Sequence, residues 1–378
     1  MLKRLISALL ALVLIVSSTS VITAEDDKPT PQYSYVLMEG DTATLLYSDN
    51  GNAIVPAHHS AKLMTLLLVM EAMDRGELSF DTVLKTSNYA NSMQGAQIWL
   101  MPNEEITVSD LIAAITVGNA NDASVVLAEA VGQTEENFVK LMNRRAEELG
   151  MVDTSYADCT GISPLSVTTA CDAAILASTL SKYESLREYF TTWVTSVRGG
   201  KTELASTNRL ILTYDGIIGM KAYYSDAVGN CVIAAAERDG LVMVCVIFGE
   251  EDEFRRFNTA KEKMNTGFLA YSVYQPKRSD IFTEPVAVKG GEFTTVETEL
   301  SSLSSFIIRK SASEHVEITI EYFEDISAPV NVGDKVGRAV YSIDGNEVYS
   351  CAIVAKERVR KMNIFIAIKR TLMSIFKM

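Results

Sequence analysis

The chain has 378 residues, 48% of them apolar, and a formal charge of −14. That length exceeds one ordinary domain, and the apolar share supplies a full core. The acidic balance argues against nucleic acid as a partner, and three histidines with five cysteines at no zinc-like spacing argue against a metal centre, so neither metal nor cofactor is expected. The charge is unevenly spread. Residues 356–378 hold seven Lys and Arg against one Glu, a net +6 that leaves the rest of the chain at −20.

Lys3 and Arg4 precede an apolar run over 5–16, a few small polar residues and Ala24, the pattern of a secretory signal peptide at 1–24. The run is too short to span a bilayer, which takes about twenty apolar residues. A polar linker then leads into a globular region over 33–275. Its first strands, 33–38 and 44–47, flank Gly40-Asp41 as a hairpin. Residues 63–73 are apolar almost all round, so that helix is expected in the middle of a core. Thr107 and Thr134 open two further helices, with one over 122–130 between them and Gly150 as a stop. A second hairpin joins 231–236 to 241–248 across Arg238-Asp239-Gly240. Strands at both ends with helices between predict an α/β sandwich whose first and last strands share one sheet.

From 281 to 356 the texture changes to short β-rich runs (293–296, 316–322, 339–343 and 348–353), which predict a small all-β domain. The final stretch, 357–378, places Phe365, Ile368, Leu372, Ile375 and Phe376 on one helical stripe with Asn363, Arg370 and Lys377 opposite. Such a helix lies on an anionic membrane surface. Cys159, Cys171, Cys231, Cys245 and Cys351 form no disulfide framework, and buried free thiols are expected.

Several segments, taken in order, resemble the low-molecular-mass penicillin-binding proteins, the serine-type D-alanyl-D-alanine carboxypeptidases. They are Pro56-Ala57, Lys62-Leu63-Met64-Thr65, Asn121-Asp122-Ala123, Leu127-Ala128-Glu129, Met142-Asn143, Leu149-Gly150-Met151, Thr207-Asn208-Arg209-Leu210, Ala328-Pro329 and Lys335-Val336-Gly337. The resemblance implies a β-lactamase/transpeptidase-like α/β sandwich followed by the small β domain, acting in peptidoglycan metabolism. It also implies three motifs. A Ser attacks the peptide carbonyl while a Lys three residues on, one helical turn away, takes its proton. A Ser-x-Asn loop relays a proton and holds substrate, and a Lys-Thr-Gly strand grips the substrate's terminal carboxylate.

Here Lys62 stands at the base position, but His59 occupies the nucleophile position. The second motif reads Asn119-Ala120-Asn121 and the third Lys221-Ala222-Tyr223. Ser60 is the alternative nucleophile, although residues two apart on a helix face nearly opposite sides. Asn121, Lys221, Ala222 and Tyr223 form the substrate-binding set. The expectation is an exported, peripheral protein at the outer face of the cytoplasmic membrane. It is catalytically impaired and binds stem peptides or cell-wall proteins. The alternatives are an active carboxypeptidase working through Ser60 and a purely structural envelope protein.

Overall fold

The first and last long strands of the N-terminal region pair with each other. The computed structural model describes residues 33–365 and 368. The signal-peptide segment and three of the five tail-stripe residues, Leu372, Ile375 and Phe376, lie outside those residues. Strand β1 (Ser34–Glu39) turns back as β2 (Thr44–Asp49). The helices α1 (Ala61–Asp74), α2 (Val108–Thr116), α3 (Asn121–Gly132), α4 (Glu135–Glu148) and α5 (Ala170–Ser181) follow. Three long strands, β3 (Ile217–Ser225), β4 (Gly229–Arg238) and β5 (Leu241–Glu250), precede α6 (Arg255–Ala270). The sheet order is β2-β1-β5-β4-β3, antiparallel throughout, with Ser34 opposite Phe248 and Glu39 opposite Met243.

This topology makes two apolar layers. One sheet face and α1 to α5 share the larger core, in which Leu63, Leu66 and Leu67 of α1 are wholly buried. Truncating any one of these to Ala would cost about 2–5 kcal/mol. The other face packs Val232, Ala234 and Met243 against Phe257, Ala260 and Met264 of α6. Helix starts follow local chemistry. Thr107 and Thr134 cap their helices by accepting from the Asp110 and Asn137 amides, and Thr169 does the same for Asp172.

The β domain begins earlier and ends later than the residue pattern indicated. Strand β6 (Tyr271–Tyr274) follows α6 without a spacer and pairs with β8 (Phe306–Arg309), while β7 (Thr298–Leu300) lies between them in sequence. The main sheet of the domain joins β7, β11 (Asn346–Ala355), β10 (Lys335–Ile343) and β9 (Val316–Tyr322) in that order. Val359 is fully buried and bridges Val330, and Lys361 bridges Gly291. Val359 thus belongs to the β-domain core, and backbone pairing with that domain continues to Lys361. Basic neighbours disguise Val359 as tail. All five cysteines are free thiols, and all but Cys171 are buried.

Candidate active site

The segment before α1 is a tight turn whose shape is set from outside. His58, His59 and Ser60 form one 3-10 turn that runs into α1, and His58 has a left-handed φ of 42°. The loop carrying Gly161 presses against it. Gly161 has φ +78°, and a Cβ there would overlap the His58 carbonyl. That loop is wound around the Asp158 carboxylate, which accepts from the Thr160, Gly161, Ile162 and Ser163 amides and from the Thr160 and Ser166 hydroxyls. Ser60 is buried, and its hydroxyl donates to the Ala57 carbonyl at 2.5 Å.

Both lysines of the resemblance reach this cleft, and both are bonded to protein carbonyls. Lys62 Nζ donates to the Thr160 carbonyl at 2.6 Å and lies 3.5 Å from His59 Nδ1. Burial lowers its pKa to about 8, against a weaker opposing pull from Cys159 and Asp158. Lys221, on β3, donates to the Ile115 carbonyl and, at 2.6 Å, to Asn119 Oδ1. Its Nζ also lies 3.5 Å from the Thr116 carbonyl. Ile115 and Thr116 end α2, where carbonyls have no partner within the helix, so Lys221 acts as a C-terminal cap. Burial, then the Lys62 charge, lowers its pKa well below the ordinary lysine value.

His59 is neutral. Burial, followed by the Lys62 and Lys221 charges, depresses its pKa to about 2. The Tyr223 ring packs 5.5 Å from the imidazole, tilted by 51°. Tyr223 is 4% exposed, and its buried hydroxyl lies beside the Ser60 hydroxyl and the Cys231 thiol. Strand β3 is the sheet edge that faces the helices, and its backbone there is already engaged. The Ala222 carbonyl accepts from Thr207 Oγ1 at 2.6 Å, and the Tyr223 carbonyl from Arg256 Nη1 at 2.5 Å. The Ala222 side chain packs into the opposite core with α6.

Asn119 has φ +57°, a conformation Asn tolerates better than most residues. Asn121 starts α3, donating its amide to Ala96 O at 2.7 Å and its side-chain Nδ2 to Gln94 O at 2.6 Å. Its Oδ1 is buried without a partner. The eight residues singled out from the sequence, 59, 60, 62, 119, 121 and 221–223, thus belong to α1's entry turn, the α2–α3 connection and β3. Two participants went unread: Gly161, which shapes the turn, and Arg256, a buried guanidinium behind Tyr223. A lone Gly and an Arg inside an amphipathic helix carry no local signal of either role. Among the described residues, no group of three His, Cys, Asp or Glu is placed to hold a metal ion.

The buried lysines have a measurable consequence. Lys62 titrates near 8 in the folded protein and near 10.5 when exposed, so between those values it is protonated more in the unfolded chain and its contribution to stability rises with pH. Lys221 contributes with the same sign. Buried thiols such as Cys231 and Cys245, whose pKa values burial raises to about 12, oppose this from about pH 9, and buried phenols such as Tyr156 from about pH 10. Urea titrations of the native chain and of Lys62→Met should diverge with pH: the native-minus-variant unfolding free energy should rise by about 2 kcal/mol from about pH 8 to pH 10. A flat native-minus-variant difference would mean that the ammonium is not desolvated.

Residues 22–252 match the D-alanyl-D-alanine carboxypeptidase family, and residues 275–361 match the C-terminal domain of penicillin-binding protein 5. The chain is 33% identical to D-alanyl-D-alanine carboxypeptidase DacF of Bacillus subtilis over 381 aligned positions, 98% of each chain. Its fold superposes on penicillin binding protein 5 from Haemophilus influenzae with a TM-score of 0.78 at 22% identity, covering 88% of this chain and 98% of that one. A peptidoglycan synthesis regulatory factor, PBP3, from Streptococcus pneumoniae gives 0.69 at 21%, covering 88% and 99%. The chain belongs to the D-alanyl-D-alanine carboxypeptidase family, and its architecture is the transpeptidase-type sandwich with a C-terminal β domain.

Proposed function

We propose that this family member binds the stem peptide of peptidoglycan at the outer face of the cytoplasmic membrane without cleaving it. One observation carries the reading: the side chain one turn before Lys62 is a neutral imidazole under the Tyr223 ring, where the family's reaction needs a hydroxyl. Ser60 is a poor substitute, because its hydroxyl is committed to Ala57 and the Lys62 ammonium to Thr160. Binding is supported by Asn121 Oδ1, a buried acceptor without a partner that a peptide N–H would satisfy. Entry requires the Tyr223 ring to turn out of the cleft.

The remaining elements of the reading are export and peripheral attachment. Among the described residues no helix is long and apolar enough to cross a membrane, and Ile364, Phe365 and Ile368 are exposed where the chain leaves the β domain. Apolar burial and basic residues together favour an anionic surface. Mature protein should co-sediment with purified sacculi without releasing D-Ala, and should also bind anionic vesicles. A variant lacking residues 362–378 should keep the first behaviour and lose the second. Release of D-Ala would favour the active reading through Ser60, absence from sacculi a purely structural role, and vesicle binding by the truncated chain would remove the tail anchor.

A further inference from the structure

Beside the cleft the chain displays a tryptophan in an unusual way. Trp99 is 68% exposed although Ile98 and Leu100 on either side are fully buried. Its φ is +55°, a left-handed conformation that is strained for a bulky residue. The backbone on both sides is clamped. The Ile98 and Leu100 amides donate to the buried Asp122 carboxylate at 3.2 and 3.1 Å. Arg198 Nη1 donates to Ile98 O at 2.7 Å, and Asn91 Nδ2 to Leu100 O at 2.7 Å. Side chains from three separate segments therefore hold one indole outward against its backbone preference. A strained and fixed exposed aromatic is the form of a binding anchor, because little freedom remains to be lost on contact.

Its surroundings indicate what it would meet. The same loop touches the cleft, since Gln94 O and Ala96 O accept from Asn121, the neighbour of Asp122. Arg198, which holds Ile98 O, also grips both Glu104 oxygens, at 2.7 and 2.8 Å, and the Asp122 carboxylate beneath the loop is buried. That leaves a flat, uncharged π-face beside a peptide-binding cleft. We infer that Trp99 stacks on a pyranose ring of the glycan strand from which the stem peptide hangs. A sugar ring offers a polarised C–H face to the indole and needs no charged partner there. The inference rests on the stem-peptide reading for the position of the glycan, but its contact is separate.

The test uses the full mature protein. In a Trp193→Phe background Trp99 is the sole indole, since the chain has two tryptophans. Titration with tetra-N-acetylchitotetraose should change Trp99 emission saturably, whereas an acyl-D-Ala-D-Ala peptide should not. In the otherwise native chain Trp99→Ala should weaken sacculus binding about tenfold, and Trp99→Phe, which keeps a ring, by about threefold or less. Peptide affinity should be unchanged in both. No emission response to the sugar, with Trp99→Ala binding sacculi normally, would overturn the glycan contact and leave the stem-peptide reading standing. Equal loss of sugar and peptide binding would overturn it too, placing Trp99 in the peptide groove. A sugar response in a protein that binds no acyl-D-Ala-D-Ala peptide would retain the contact and sink the stem-peptide reading.

Discussion

Native protein incubated with a fluorescent penicillin should carry no label after denaturing electrophoresis, and a His59→Ser variant should remain almost as dark. Loss of the nucleophile in a comparable serine hydrolase costs about 10⁶ in rate, roughly 8 kcal/mol. Restoring it leaves Asn119 and Ala222 without hydroxyls, and at about 10² for each missing group the single variant would still fall about 10⁴ short. The Tyr223 ring beside residue 59 is a further obstacle. Only a combined change, His59→Ser with Asn119→Ser, Ala222→Thr and Tyr223→Gly, should give a stable adduct. Label on the native chain that disappears in Ser60→Ala would refute the non-catalytic reading. Full labelling of His59→Ser alone would show that the other three positions are immaterial.

Gly161→Ala should be the most damaging conservative substitution near the cleft. The new Cβ would overlap the His58 carbonyl, and the position has φ +78°. The left-handed backbone accounts for about 1–2 kcal/mol and the overlap for a further 1–3, so roughly 2–5 kcal/mol in all. The His58 turn and the Asp158 loop would have to separate, taking the Thr160 carbonyl away from Lys62. Gly150→Ala is the control: its φ is +77° with open space around it, so only the backbone contribution of about 1 kcal/mol remains. Denaturant midpoints of the two variants should differ clearly. Equal midpoints would mean that the contact between residues 58 and 161 yields without cost.

Periodicity and end chemistry made much of the scaffold legible. The all-round apolar 63–73 segment is α1, Thr107 and Thr134 are caps, and the two terminal hairpins meet as β1 and β5. These are local signals joined by one pairing rule. Motif order singled out residues 59, 62, 119, 121 and 221–223, which the fold gathers on α1's entry turn, the α2–α3 connection and β3. What each side chain does there was not legible. The carbonyls that hold Lys62 and Lys221 lie 98 and 106 residues away in sequence. The Asp122 clamp on Trp99 and the closeness of Gly161 to His58 likewise arise only when distant segments pack. Val359 was missed for the opposite reason: a single core residue among Arg358, Arg360 and Lys361 has no periodic partner to reveal it.

The way Lys221 is held changes what its presence means. Its amine closes the open end of a helix and fastens the Asn119 side chain, so it joins the sheet edge to the helical layer as a rivet does. A rivet is kept for mechanical reasons, whether or not any reaction takes place beside it. A lysine at a motif position is therefore weak evidence, by itself, that chemistry takes place there. The hydroxyl positions, which have no such second duty, are the better gauge.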